Sequence, residues 1–94
     1  MSTRYPRWWR HVRYIHNPHS IEGCSVSIPE LAADTILIDG FGVAKRAIYN
    51  YLEPDSRRAS VMELRSALLI RRSLDRLLDV QLKLEDFDVD GLLR

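Results

Sequence analysis

The sequence predicts an all-α fold, with three or so short-to-medium helices, an irregular connector and an extended acidic C-terminal tail. Three observations carry this. Apolar residues recur at spacings of three and four over residues 6–17, 43–53 and 57–79. Chain breakers border these stretches: Pro6 and Pro18 around the first, Gly40, Gly42 and Pro54 around the second. The only extended-looking run, residues 35–38, has no second strand to pair with and reads as packed coil.

Taken in order, residues 6–17 form an amphipathic N-terminal helix opened by Pro6 at a first helical position and ended by Asn17 and Pro18. At 100° per residue, Trp8, Trp9, Val12, Ile15 and His16 fall within one arc of about 120°, and Arg7, Arg10, His11, Arg13, Tyr14 and Asn17 take the rest. A helix this short does not hold itself in water, so its apolar face needs something to lie on. Residues 18–42 are the connector. Within it Ser27 and Glu30 have the spacing of a capping box, which predicts one helical turn over residues 29–33.

The short helix, 43–53, rests on Val43, Ala44, Ala47, Ile48, Tyr51 and Leu52 and stops at Glu53 and Pro54. The long helix, 57–79, is capped by Ser60 with Glu63. Leu64, Ala67, Leu68, Ile70, Leu74, Leu77 and Leu78 cover about half its circumference, more than one packing neighbour needs, while Arg65, Arg72 and Arg76 make a narrow basic stripe. Residues 80–94 form the acidic tail, with apolar residues alternating among the carboxylates in a pattern suited to lying along a partner.

Composition sets limits on function. With 94 residues, 46% of them apolar and 29% charged, the chain is one ordered domain, small enough that neighbours would help to bury its apolar surface. A single cysteine, Cys24, excludes an internal disulfide framework. No uncharged run is long enough to span a bilayer. Charge is segregated: Arg4, Arg7, Arg10 and Arg13 open the chain without a carboxylate, whereas Asp79, Glu85, Asp86, Asp88 and Asp90 crowd its end. An arginine-rich, acid-free start is also the composition of a mitochondrial targeting segment, expected here to be retained rather than removed.

Little in the chain looks like a reaction centre. His16, His19 and Cys24 are the one group of ligand-type side chains, but their spacing matches no closed zinc site, and they read as a helix-end histidine, a loop histidine and a buried thiol. Glu30, Asp34 and Asp39 supply carboxylates without an activated nucleophile beside them. Gly40-Phe41-Gly42 lacks the further glycine and the lysine of a phosphate loop. No cofactor, metal or catalytic residue is expected. The basic, aromatic opening suits nucleic acid in composition, yet its tryptophans share the apolar arc opposite the arginines, which is the geometry of a helix that packs by one face.

The order of the segments "RWWRHVRYIHN", "ADTILID", "VAKRAIYNYLEP" and "RRASVMELRSALLIRRSLDRLL" resembles subunit 7 of the mitochondrial cytochrome bc1 complex, the small matrix-side subunit of ubiquinol-cytochrome c reductase, respiratory complex III. Arg7, Trp8, Val12 and Arg13 match the family's first helix, and Asp34, Thr35 and Ile36 match an Asp-Thr-Ile stretch. Val43, Ala47, Ile48, Leu52 and Pro54 match a short helix and turn, and Arg58, Arg65, Ala67 and Leu68 match an arginine-rich helix. The likeness covers about residues 7–78, and the family's Leu-Pro-Lys-x-x-Trp segment is replaced here by "LKLEDF".

The resemblance implies a non-catalytic accessory and assembly subunit, peripheral on the matrix side of the mitochondrial inner membrane, with cytochrome b and other complex III subunits as partners. In that setting Trp8, Trp9, Val12 and Ile15 are the expected partner anchors, joined from the long helix by Arg65, Leu68, Arg72 and Arg76. Arg7, Arg10 and Arg13 are expected to face acidic protein groups or anionic lipid. The alternative is a nucleic-acid-associated helical protein, such as a mitochondrial ribosome subunit or a small regulator.

Overall fold

The computed structural model describes residues 6–52 and 62–87. The elements are a 3-10 helix at Arg7–His11, β1 at Val12–Arg13, β2 at Val26–Ser27, α1 at Ile28–Asp39, α2 at Lys45–Tyr51, α3 at Leu64–Leu78 and a second 3-10 turn at Leu84–Asp86. Helix dominates, as expected, but a two-stranded parallel sheet pairs Val12 with Val26 and Arg13 with Ser27.

The N-terminal segment departs most from the expected helix over 6–17. It makes a tight turn, with Trp9 N–H donating to Pro6 O at 3.1 Å, and then becomes extended at Val12. The cause is Asn17. Its buried carboxamide nitrogen donates to Trp9 O and to Val12 O, both at 2.8 Å, and the Ser20 hydroxyl also donates to Val12 O at 2.6 Å. In an α-helix those carbonyls would accept the N–H groups four residues on; here Trp9 O accepts the Val12 N–H, three residues on, together with the Asn17 amide, Val12 O accepts from the Asn17 and Ser20 side chains, and the helical ladder stops. Val12 is thereby free to pair with Val26, and Ile15 and His16, assigned to the apolar arc by helical spacing, turn outward.

The expected connector contains a full helix. Ser27 caps α1, its Oγ accepting from Glu30 N–H at 3.3 Å, and Pro29 fits the first turn. The helix then continues past the single predicted turn to Asp39, because Ile28, Leu31, Ala32 and Thr35 place a buried stripe at spacings of three and four. Thr35 is the hinge of this packing: its hydroxyl donates to Ala32 O at 2.7 Å and accepts from Val43 N–H at 2.8 Å, which folds the following chain back. At the bend Gly42 has φ +64°, and a Cβ there would lie 2.6 Å from the backbone nitrogen of Ile36, so only glycine fits.

The short helix α2 falls within the expected 43–53. The long helix begins at Leu64, later than the expected 57, because Met62 is buried in a bridge and Glu63 is extended. Ser60 and its capping role lie outside the described residues. α1 packs chiefly on α3 and also on α2. Trp8, Trp9, Val12, Val26, Ile28, Leu31, Ile48, Leu52, Ile70, Leu74 and Phe87 share one core. The Trp8 and Phe87 rings stack with centroids 5.5 Å apart, so the first part of the acidic tail closes on the chain's own core; residues 88–94 lie outside the described residues.

Replacing Asn17 by Ala removes one donor each from the Trp9 and Val12 carbonyls, which keep the Val12 N–H and the Ser20 hydroxyl, and is expected to lower unfolding free energy by about 1–3 kcal/mol, read from the urea midpoint. Gly42→Ala is expected to cost about 1–3 kcal/mol by the same measurement, since it meets both an unfavourable φ and the Ile36 backbone.

Candidate docking surface

The expected partner anchors divide into two groups. Trp8 and Trp9 are 1% and 8% exposed, and Val12 is fully covered, so these three are core residues rather than contacts for another molecule. The apolar face that the N-terminal segment was expected to offer a partner is instead covered by the chain's own Phe87 and its neighbours. Ile15, by contrast, is 90% exposed, at a position that the interrupted helix turns to solvent.

The arginines also divide. Arg65 Nη2 donates to Asp39 Oδ2 at 2.7 Å and to Gly42 O at 3.1 Å, tying α3 to the end of α1. Arg76 forms an ion pair with Asp34, whose carboxylate is buried while the guanidinium is more than half exposed. Two of the three residues in the basic stripe of α3 therefore hold the fold; Arg72, on the same face, is exposed. Arg13 Nη1 donates to Ser25 O at 2.7 Å, bridging the two strands. Arg7 is exposed and lines an open groove of about 590 Å³ with Gln81, Lys83, Glu85 and Asp86, a wall of mixed charge. Arg10 is half-buried, its carbonyl accepting from Ile21 N–H at 2.8 Å.

The ligand-type residues are not gathered. His16 packs edge-on against Tyr14, and His19 lies beside Trp9. Cys24 instead meets His11: His11 Nδ1 lies 3.0 Å from Cys24 O and 3.6 Å from its Sγ. Among the described residues no group of three or more His, Cys, Asp or Glu is placed to hold a metal ion. Glu30 lies in the first turn of α1, and Asp34 and Asp39 are taken by arginines.

What remains uncovered is apolar. On α1 the outward residues Pro29, Ala33, Ile36 and Leu37 lie within an arc of about 100°, bordered by Glu30. Leu37 is 79% exposed, and Phe41, just beyond the helix end, is 88% exposed. Leu64 and Leu68 are also part-exposed at the start of α3, the end that Arg65 fastens to Asp39 and Gly42. Helix α1 is thus apolar on both its buried and its outer side, a pattern that in a globular protein marks a helix with a second neighbour. The sequence did carry this signal: once 28–39 is helical, Ile36 and Leu37 fall opposite Leu31 and Thr35. The reading of 35–38 as coil concealed it.

No family model matches the chain, and no curated protein or solved structure matches it. Among the described residues no helix is long and apolar enough to cross a membrane.

Two substitutions separate core from surface. Trp8→Ala is expected to destabilise the fold by about 3–5 kcal/mol, as a large core truncation does, whereas Leu37→Ala should shift the urea midpoint by less than about 0.5 kcal/mol equivalent.

Proposed function

We propose that this chain is a non-catalytic accessory subunit that docks on a larger assembly through the outer face of α1. One observation carries the reading: a helix whose solvent side presents Ala33, Ile36 and Leu37, with only Glu30 as a charged neighbour on that arc. In so small a chain such a face adds nothing to folding and gains its stabilisation when a second molecule covers it.

The resemblance to subunit 7 of the cytochrome bc1 complex names the assembly in this proposal. The chain sits peripherally on the matrix side of the mitochondrial inner membrane, packs against cytochrome b, and contributes to assembly rather than to electron transfer. The surface used differs from the one expected from sequence, since α1 takes the place of the tryptophan-bearing segment. Leu68 and Arg72 on α3 extend the same docking role. The nucleic-acid alternative has less support, because the two tryptophans available for base stacking are inside the core.

Affinity capture of the full chain from its native source tests the proposal. Cytochrome b and other complex III subunits should co-purify with the wild type. Ala33→Glu combined with Leu37→Glu should reduce the captured amount by at least about tenfold, with an unchanged circular dichroism spectrum. Capture without cytochrome b, or undiminished capture by the double variant, overturns it.

A further inference from the structure

The turn after α1 offers a second surface, distinct in shape and charge from the helix face. Phe41 stands at its tip, 88% exposed, with Gly40 before it at φ +87° and Gly42 after it at φ +64°. Both sides of the turn are fastened. Gly40 N–H donates to Ile36 O at 2.6 Å, and Val43 N–H donates to the buried Thr35 hydroxyl at 2.8 Å. Gly42 itself lies against the Ile36 backbone. The phenyl ring is therefore held out on a fixed projection, and covering it costs little ordering of the chain.

The charge around this projection is one-sided. From Gly40 to Leu52 the sequence contains Lys45 and Arg46 and no carboxylate, and both cations are exposed. Asp39, just before the turn, is paired with Arg65, which also donates to Gly42 O. The local acid is thus matched by its own arginine, and Lys45 and Arg46 leave the turn with a positive excess. An aromatic side chain projecting from a fixed turn, with an aliphatic residue, Leu37, four residues before it and exposed cations four and five residues after it, has the amphipathic character of an interfacial anchor.

We infer that the Gly40-Phe41-Gly42 turn inserts Phe41 into the headgroup region of an anionic lipid bilayer, with Lys45 and Arg46 set against the lipid phosphates. Charge complementarity and convexity select this occupant. A projecting ring enters a soft interface readily, whereas a protein partner would have to supply a matching pocket. Contact with lipid thereby moves from Arg7, Arg10 and Arg13, where the sequence placed it, to the opposite end of α1 from its cap. The inference does not rest on the identity of the protein partner.

The test is co-sedimentation of the full 94-residue chain with vesicles of phosphatidylcholine alone or with roughly one-third phosphatidylglycerol. The wild type should pellet with the anionic vesicles, weakly with the neutral ones, and less as salt rises. Phe41→Ser should weaken binding by about tenfold, and Lys45→Glu with Arg46→Glu by at least about tenfold, all with unchanged circular dichroism. Failure of the wild type to pellet, or equal binding by either variant, overturns the inference. So does a result in which Phe41→Ser lowers affinity capture of a protein while vesicles bind neither form, since a protein then occupies the turn. A wild type that captures cytochrome b but does not pellet with anionic vesicles refutes only this inference; one that pellets but does not capture cytochrome b refutes only the docking proposal.

Discussion

The Asn17 carboxamide is the constraint on which the rest of the molecule depends. By donating to the carbonyls of Trp9 and Val12 it ends one turn of 3-10 helix and commits the next residues to an extended path. Continued as an α-helix, the segment would have needed those carbonyls for the N–H groups four residues on and would have spread its apolar side chains along a stripe. Broken where it is, it places both indoles and Val12 in one compact cluster and brings β1 beside β2. The Asn17 amide, with the Ser20 hydroxyl and the Val12 N–H, thereby satisfies the carbonyls of a segment that is a core element rather than a surface helix.

The second level of organisation is polar as well. The packing of α1 on α3 carries the ion pairs of Asp34 with Arg76 and of Asp39 with Arg65, and Thr35 anchors the chain as it leaves α1. These ties fix which side of α1 faces α3. Since α1 has apolar residues around most of its circumference, hydrophobicity alone would not choose its rotation. Asp34 and Thr35 choose it, because Asp34 meets Arg76 and Thr35 meets the Val43 N–H when turned inward, and Ala33, Ile36 and Leu37 then face out. The docking face is a by-product of polar registry in the core.

Much of the helical content was legible from spacing. The short helix over Lys45–Tyr51, the end of the long helix at Leu78 and the capping role of Ser27 all rest on local signals that the structure keeps. The N-terminal segment was not legible, because Trp8, Trp9 and Val12 satisfy a helical arc and a tight turn equally well. What decides between them is the reach of Asn17, a residue whose sequence signal was only that of a terminator. α1 was hidden for a different reason: Thr35, Ile36 and Ile38 are β-branched, which favours an extended reading, and burial against α3 overrides that weak preference. Trp8, Trp9 and Val12, expected from sequence to anchor a partner, are instead buried within the chain's own core. The basic stripe was misjudged in the same sense, since the carboxylates that meet Arg65 and Arg76 come from α1, a helix not foreseen.

The stacking of Trp8 on Phe87 has a bearing on how the molecule comes into being. These rings come from opposite ends of the described chain, so the indole has no lid while the polypeptide is still emerging from the ribosome. Burial of the indole therefore waits until Phe87 has been made and released, and such long-range closure is slow compared with the formation of helices. For that interval the nascent chain displays its most sticky aromatic to the cell, a moment at which chaperones, or the assembly that will receive it, have most to gain by intervening.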